Sequence, residues 1–215
     1  MNLPGVHVLV TDEVAGEPEF ERRARDMQER CGASLALHLR LRRTPVRRRL
    51  ALAESLEEGA VESDGWLVVN RRLDIALAVG ADAVQLGRGS LPIAAVRDVA
   101  GDSLFVGASV HDVPTADRCR LEGADYLVAG AVYESDSHPG ARPAGRELIE
   151  RLSPMDLPVV AIGGITLERV SEVCAAGAAG VAVIRAVWNA AEPVEAAAAL
   201  CEAVERWAEH NGSNS

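Results

Sequence analysis

Lysine is absent from this chain: all 22 basic residues are arginines. That excludes Schiff-base chemistry on a lysine amine and the phosphate lysine of a Walker-type loop. Aromatic residues make up only 3% of the 215 positions, too few for the stacking platforms that hold single-stranded nucleic acid. Positive charge is in the minority, with 32 acidic residues and a formal net charge of -10, so a nucleic-acid backbone meets little attraction. Cysteine is sparse. Cys31, Cys119, Cys174 and Cys201 lie far apart without a CxxC pair and read as small buried hydrophobes in helices. No basic segment with an apolar run behind it opens the chain, and no stretch reaches the ~18 uncharged residues of a membrane span. The expectation is a cytoplasmic protein with neither nucleic acid nor membrane as partner.

What the chain does have is Ala, Val and Leu in short runs that alternate with helical patterns. Strands are predicted over 6–12, 33–40, 66–70, 83–87, 104–109, 126–133, 158–163 and 181–187. Most are nearly continuous apolar runs, as parallel strands buried on both faces require. Helices are predicted over 18–30, 45–58, 73–78, 91–99, 113–121, 145–152, 167–176 and 193–209. Gly-Ala recurs between helix and strand at Gly32, Gly80, Gly123 and Gly177, where glycine can take the left-handed conformation that ends a helix. Two of these junctions continue into Asp82 and Asp125, read as turn hydrogen-bonders at strand starts.

Eight βα units of ~27 residues sit near the minimum that closes a (β/α)₈ barrel. The first strand runs into Thr11-Asp12-Glu13 without the glycine fingerprint of an open doubly wound sheet. The fold class expected is therefore α/β, a single TIM barrel over residues 1–209 with a disordered tail at 210–215.

Chemistry in such barrels collects where the strands end. Strand seven ends in Gly163-Gly164 before a helix, and strand eight ends in Ile184-Arg185. Amide N–H groups there, with the arginine fork, read as a phosphate site. Alternation along strand two puts His38, Arg40 and Arg42 on one face, an arrangement that calls for an anion. Strands three, four and five end in the polar residues Asn70, Gln85, Ser109 and His111. Beyond strand six, Ser135, Asp136, Ser137 and His138 lead a Pro/Gly-rich stretch to Gly145. It reads as a lid with hydroxyl donors for phosphate and one titratable group.

These stretches, taken in order, resemble the thiamine-phosphate synthase family and its TenI branch, the thiazole tautomerases. His38–Arg42, Asn70–Ala76, Gly80–Gly87, Gly107–His111, Gly123–Tyr126, Ala161–Ile165 and Gly180–Ile184 carry the resemblance, which spans nearly the whole chain. It implies a barrel that binds thiazole phosphate. In the synthase a pyrimidine diphosphate loses pyrophosphate, the thiazole nitrogen captures the resulting cation, and magnesium holds the leaving group. By this resemblance His38 to Arg42, Asn70 and Ser109 match the diphosphate-holding stretch. Ser135 to Ser137, Gly164, Ile184 and Arg185 match the thiazole-phosphate contacts.

The departures decide the expected chemistry. Where the synthase has Asn-Asp this chain has Asn70-Arg71, and where a second acid follows strand four it has Gly87-Arg88-Gly89-Ser90. Both magnesium carboxylates are missing, so no metal is expected unless the synthase reading holds. The strand-two end is His-x-Arg-x-Arg, the TenI pattern, and His138 replaces the synthase lid lysine. TenI's proton-transfer histidine is here Ala131, which leaves His38 or His138 as preferred general base, with His111 also available. The leading expectation is a metal-independent thiazole tautomerase. The alternatives are a divergent thiamine-phosphate synthase, with Arg71 and Arg88 as fixed positive charge, and a non-catalytic phosphate binder. Homodimer formation is compatible with the sequence.

Overall fold

The computed structural model describes residues 2–134 and 143–212. Eight strands run in chain order: β1 (Val6–Val10), β2 (Leu35–Leu39), β3 (Trp66–Asn70), β4 (Ala83–Leu86), β5 (Phe105–Val110), β6 (Tyr126–Gly130), β7 (Val159–Ile162) and β8 (Gly180–Val183). Each pairs in parallel with its neighbours, and β8 returns to β1 to close the barrel. The helices are α1 (Phe20–Cys31), α2 (Val46–Ser63), α3 (Leu73–Val79), α4 (Ile93–Ala100), α5 (Val113–Leu121), α6 (Arg146–Leu152), α7 (Val170–Ala175), α8 (Arg185–Trp188) and α9 (Pro193–Gly212). The expected TIM barrel is the fold. No helix among the described residues is long and apolar enough to cross a membrane.

Alternation along each strand sorts the side chains into two cores. Val6, Val8 and Val10 of β1, with Leu35, Leu37 and Leu39 of β2, face the helices in the larger one. Leu9, Ala36, Val68, Ala83, Tyr126, Val128, Val160 and Ala182 fill the barrel interior. The junction glycines act as their spacing predicts: Gly32, Gly80, Gly123 and Gly177 all have positive φ. Asp82 accepts from the Leu67 amide at 2.8 Å and Asp125 from the Val106 amide at 2.6 Å. Each Gly-Ala-Asp thus ties a strand start to the strand before it. At the closing seam a Cβ on Gly180 would lie 2.5 Å from the Gly5 carbonyl oxygen, so only glycine lets these backbones meet.

Most element ends shift by one or two residues and α2 runs on to Ser63 rather than 58; three other boundaries differ in ways that bear on the rim or the tail. The segment expected as strand over 181–187 is strand only to Val183, then the short helix α8. Trp188 explains the turn inward: its Nε1 donates to the Leu9 carbonyl at 3.0 Å, which folds α8 back onto β1. The strand expected to reach 133 ends at Gly130, although the Val132 and Tyr133 amides still donate to Ile162 and Gly163. The last helix continues through His210 to Gly212, beyond the expected 209; residues 213–215 lie outside the described residues.

At the N-terminal end of the barrel, Glu57, Asp64, Trp66 and Asp82 line a cavity of about 280 Å³. Burial, with the charge of Asp82 nearby, pushes the Glu57 carboxyl up to about 7. Its ionisation is therefore disfavoured in the folded protein, and stability is lost as pH rises from the unfolded-state value through about 7. Glu57→Gln is expected to raise Tm at pH ~8 and to leave it unchanged near pH 4; an equal Tm at both would contradict the burial argument. Inside the barrel, a Cβ on Gly107 would lie 2.2 Å from Gln85 Oε1 and 2.3 Å from Tyr126 Cζ. Urea unfolding of Gly107→Ala should show a loss of about 1–3 kcal/mol, while Gly16→Ala, which enters open space, should change little.

Candidate active site

Because all strands are parallel, their C-terminal ends form one rim. On one side β2 and β3 deliver Arg40, Arg42, Asn70 and Arg71. The amide of Arg40 donates to Val10 at 2.9 Å, continuing the β1–β2 ladder past its end. The following turn is organised by Asp12. Its carboxylate accepts from the amides of Arg42 (2.9 Å), Arg43 (3.0 Å) and Thr44 (2.8 Å) and from the Thr44 hydroxyl (2.7 Å). Burial opposes ionisation of Asp12, but these bonds outweigh it and hold the carboxyl well below the usual range.

Two of these arginines act on the third. Arg40 is half-buried, and that burial, with the positive charges of Arg42 and Arg71, lowers its affinity for its proton. Arg71 sits in the left-handed region at φ 70°, unusual for a side chain with a Cβ. Its amide donates to the Gln85 carbonyl at 2.9 Å, and its Nη2 donates to the Gly89 carbonyl at 3.0 Å. The guanidinium therefore lies against the β4–α4 loop.

Below the rim the barrel holds a polar column. His7 Nε2 donates to the Pro4 carbonyl at 3.0 Å, which leaves His7 Nδ1 as an acceptor. His38 Nε2 must then donate to it, across 2.7 Å. His38 Nδ1 becomes an acceptor in turn, with Asn70 as its polar neighbour. Gln85 donates to the Ser109 hydroxyl at 3.1 Å. His38 Nδ1, Asn70 Oδ1, Gln85 Oε1 and Tyr126 Oη find no hydrogen-bond partner among the described residues. Burial drives both imidazoles toward the neutral form. His7 falls to about 4, held up only by its bond to Pro4, and His38 falls well below its ordinary value through burial and the charge of His7.

Four strands away from β3 lies the glycine turn of β7. Gly163 and Gly164 have φ 103° and 66°. A Cβ on Gly163 would lie 2.6 Å from Ala131 Cβ, and one on Gly164 would lie 2.6 Å from the Glu134 carbonyl oxygen. The segment after β6 is thus packed directly on this turn. Arg169 secures it, donating to the Gly164 carbonyl at 2.6 Å and standing 4.3 Å from the Tyr133 ring centre. Ile184 and the exposed Arg185 stand beside it at the start of α8.

The structure gathers Arg40, Arg42, Asn70, Ser109, Gly163, Gly164, Ile184 and Arg185 at one end of the barrel. Ser135, Asp136, Ser137 and His138 lie outside the described residues. His38 needs correction as a general base: it is 1% exposed and neutral, bonded to His7 inside the barrel. A group held that far below its ordinary value is a poor proton carrier near neutrality. Sequence reasoning overlooked His7, although alternation along Val6–Val10 places it with Leu9 on the inner face. It also passed over Tyr133 and Arg169, whose meeting depends on two loops distant in the chain.

The family model described as thiamine monophosphate synthase matches residues 7–187. The chain is 45% identical over 172 residues to the thiamine biosynthesis bifunctional protein ThiM/ThiE of Symbiobacterium thermophilum, covering 79% of this chain and 36% of that protein. It is 37% identical over 194 residues to thiamine-phosphate synthase of Methanoculleus marisnigri, covering 89% of this chain and 92% of the relative. The solved structure of thiamine phosphate pyrophosphorylase from Pyrococcus furiosus superposes with a TM-score of 0.83 at 32% identity, covering 96% of this chain and 97% of that one.

The imidazole pair makes stability depend on pH. Both groups have folded values below their unfolded ones, so their contribution is complete above about 6.5 and is lost as pH falls, for His7 through about 4. His7 alone corresponds to about 3 kcal/mol over that window. Urea unfolding from pH 8 to pH 4 should show a steeper fall for the native chain than for His7→Gln; parallel curves would show that the pair is not held neutral.

Proposed function

This chain belongs to the thiamine monophosphate synthase family, and on that premise we propose that it is a transferase of thiamine biosynthesis. The reaction joins a pyrimidine diphosphate to a thiazole phosphate. The bond between the pyrimidine methylene carbon and the diphosphate oxygen breaks, its electron pair leaves with pyrophosphate, and the thiazole nitrogen forms the new C–N bond. Arg40, Arg42 and Arg71 hold the diphosphate and stabilise the charge that grows on it as it leaves. Asn70, Gln85 and Ser109 orient the pyrimidine. The amides of Gly163 and Gly164, with Ile184 and Arg185, hold the thiazole phosphate across the mouth.

The observation that carries this reading is the placement of the arginine cluster and the glycine turn on opposite sides of one rim. A diphosphate on the arginine side and a phosphate on the glycine side fit that layout, the more highly charged group meeting the larger number of guanidinium donors. The names of the similar proteins support the same choice. Magnesium, implied by the family resemblance, does not fit the side chains present. Among the described residues no cluster of three or more His, Cys, Asp or Glu could hold an ion. Asp12 is saturated by its own loop, and Asp74 is paired with Arg72. No step is routed through a metal.

One observation favours a second reading, the thiazole tautomerase. His111 Nδ1 contacts the carbonyl of Gly130, the residue before Ala131, which leaves Nε2 outside that contact. The two readings separate in purified assays. The transferase reading expects thiamine phosphate from the pyrimidine diphosphate and thiazole phosphate, with kcat/KM lowered roughly 10²-fold by Arg40→Ala and unaffected by His111→Ala. Conversion of the thiazole tautomer alone, abolished by His111→Ala, with no thiamine phosphate formed, would establish the tautomerase instead.

A further inference from the structure

The mouth lacks carboxylates at both places where, by resemblance, a synthase keeps its metal ligands. One of those places is Arg71 itself. The other lies in the loop Gly87-Arg88-Gly89-Ser90, and the Arg71 guanidinium reaches that loop by donating to Gly89 at 3.0 Å. A fixed cation therefore spans from the first missing carboxylate to the loop of the second. The backbone is shaped for it: Arg71 is left-handed at φ 70°, anchored by its amide on Gln85. Non-glycine residues adopt that conformation at some cost, and such cost gathers at functional sites. The loop is shaped for it as well, since a Cβ on Gly89 would stand 3.0 Å from Arg71 Nη2.

We propose that Arg71 takes the place of the divalent ion, so that the mouth binds a diphosphate group without magnesium. This rests on the transferase reading and adds how its leaving group is held. The exposed Arg42 and Arg71 bear with like charge on the half-buried Arg40, and an anion among them relieves that repulsion. Ser90 does not restore the missing charge: it is a neutral hydroxyl that accepts from the Gly87 amide at 3.0 Å. Arg42 and Arg71 both lie near enough to Arg40 for their charges to act on it, so a ligand held on Arg40 feels all three. A hard cation placed among them would be repelled rather than bound.

The test is calorimetric titration of inorganic pyrophosphate into the full chain, once in excess EDTA and once with magnesium. Binding in EDTA at an affinity equal to or tighter than with magnesium is expected. Arg71→Asn, which keeps a side chain tolerant of the left-handed conformation, should weaken that binding about tenfold or more in EDTA; circular dichroism and Tm establish that the variant folds. Binding that appears only with magnesium, or that Arg71→Asn leaves unchanged, overturns the proposal. The outcome is separable from the transferase reading. Pyrophosphate bound in EDTA with no thiamine phosphate formed defeats that reading and leaves the metal-free site standing. Synthesis that proceeds only with magnesium does the reverse.

Discussion

Closing eight parallel strands into one barrel brings every strand to its end at the same rim, and the site depends on that closure. Arg40, Arg71, Ser109, Gly164 and Arg185 are distant in the chain and meet only because β8 pairs with β1. The seam itself is narrow. It needs glycine at position 180, where the Gly5 backbone passes within contact distance, and it is locked by the Trp188 indole on the Leu9 carbonyl. The same short helix that locks the seam presents Ile184 and Arg185 to the mouth, so closing the fold and forming one side of the site are a single event.

The interior shows how polar groups survive in such a core. The hydrogen-bond chain from Pro4 through His7 to His38 leaves each imidazole one role per nitrogen, and neutrality follows from burial. Gln85 and Ser109 extend the polar column toward the rim. Nearer the surface the logic reverses. Arg42 and Arg71 act on Arg40 through their charge, while the carboxylates Asp12 and Asp74 accept from the turn amides and from Arg72. Neutral polar groups thus lie below, and a cluster of arginines partly offset by Asp12 and Glu13 lies above.

Much of this was legible in residue order. Continuous apolar runs marked parallel strands, and Gly32, Gly80, Gly123 and Gly177 marked helix ends because glycine alone takes positive φ freely. Asp82 and Asp125 were readable as strand-start ties. The glycine pair at 163 and 164 was read as an approach for phosphate, yet its local reason is steric: Ala131 and Glu134 lie on it. The strand expected through 187 breaks at Val183 because Trp188 has a partner on β1, a contact no window of sequence contains. His38 carried the right face but not its setting, since the partner that binds it is His7, thirty-one residues earlier.

What the sequence determined by itself was periodicity, and periodicity settled the barrel and which residues line its rim, since side-chain direction along a strand is a local property. Only the tertiary structure decided which of those residues act on one another. Whether a histidine is a proton carrier or a neutral bond in the core, and whether an arginine is a surface charge or stands where a metal would, depends on neighbours brought together by closure. Burial and Coulomb interaction act through space, and their strength follows distance in the folded molecule rather than separation along the chain.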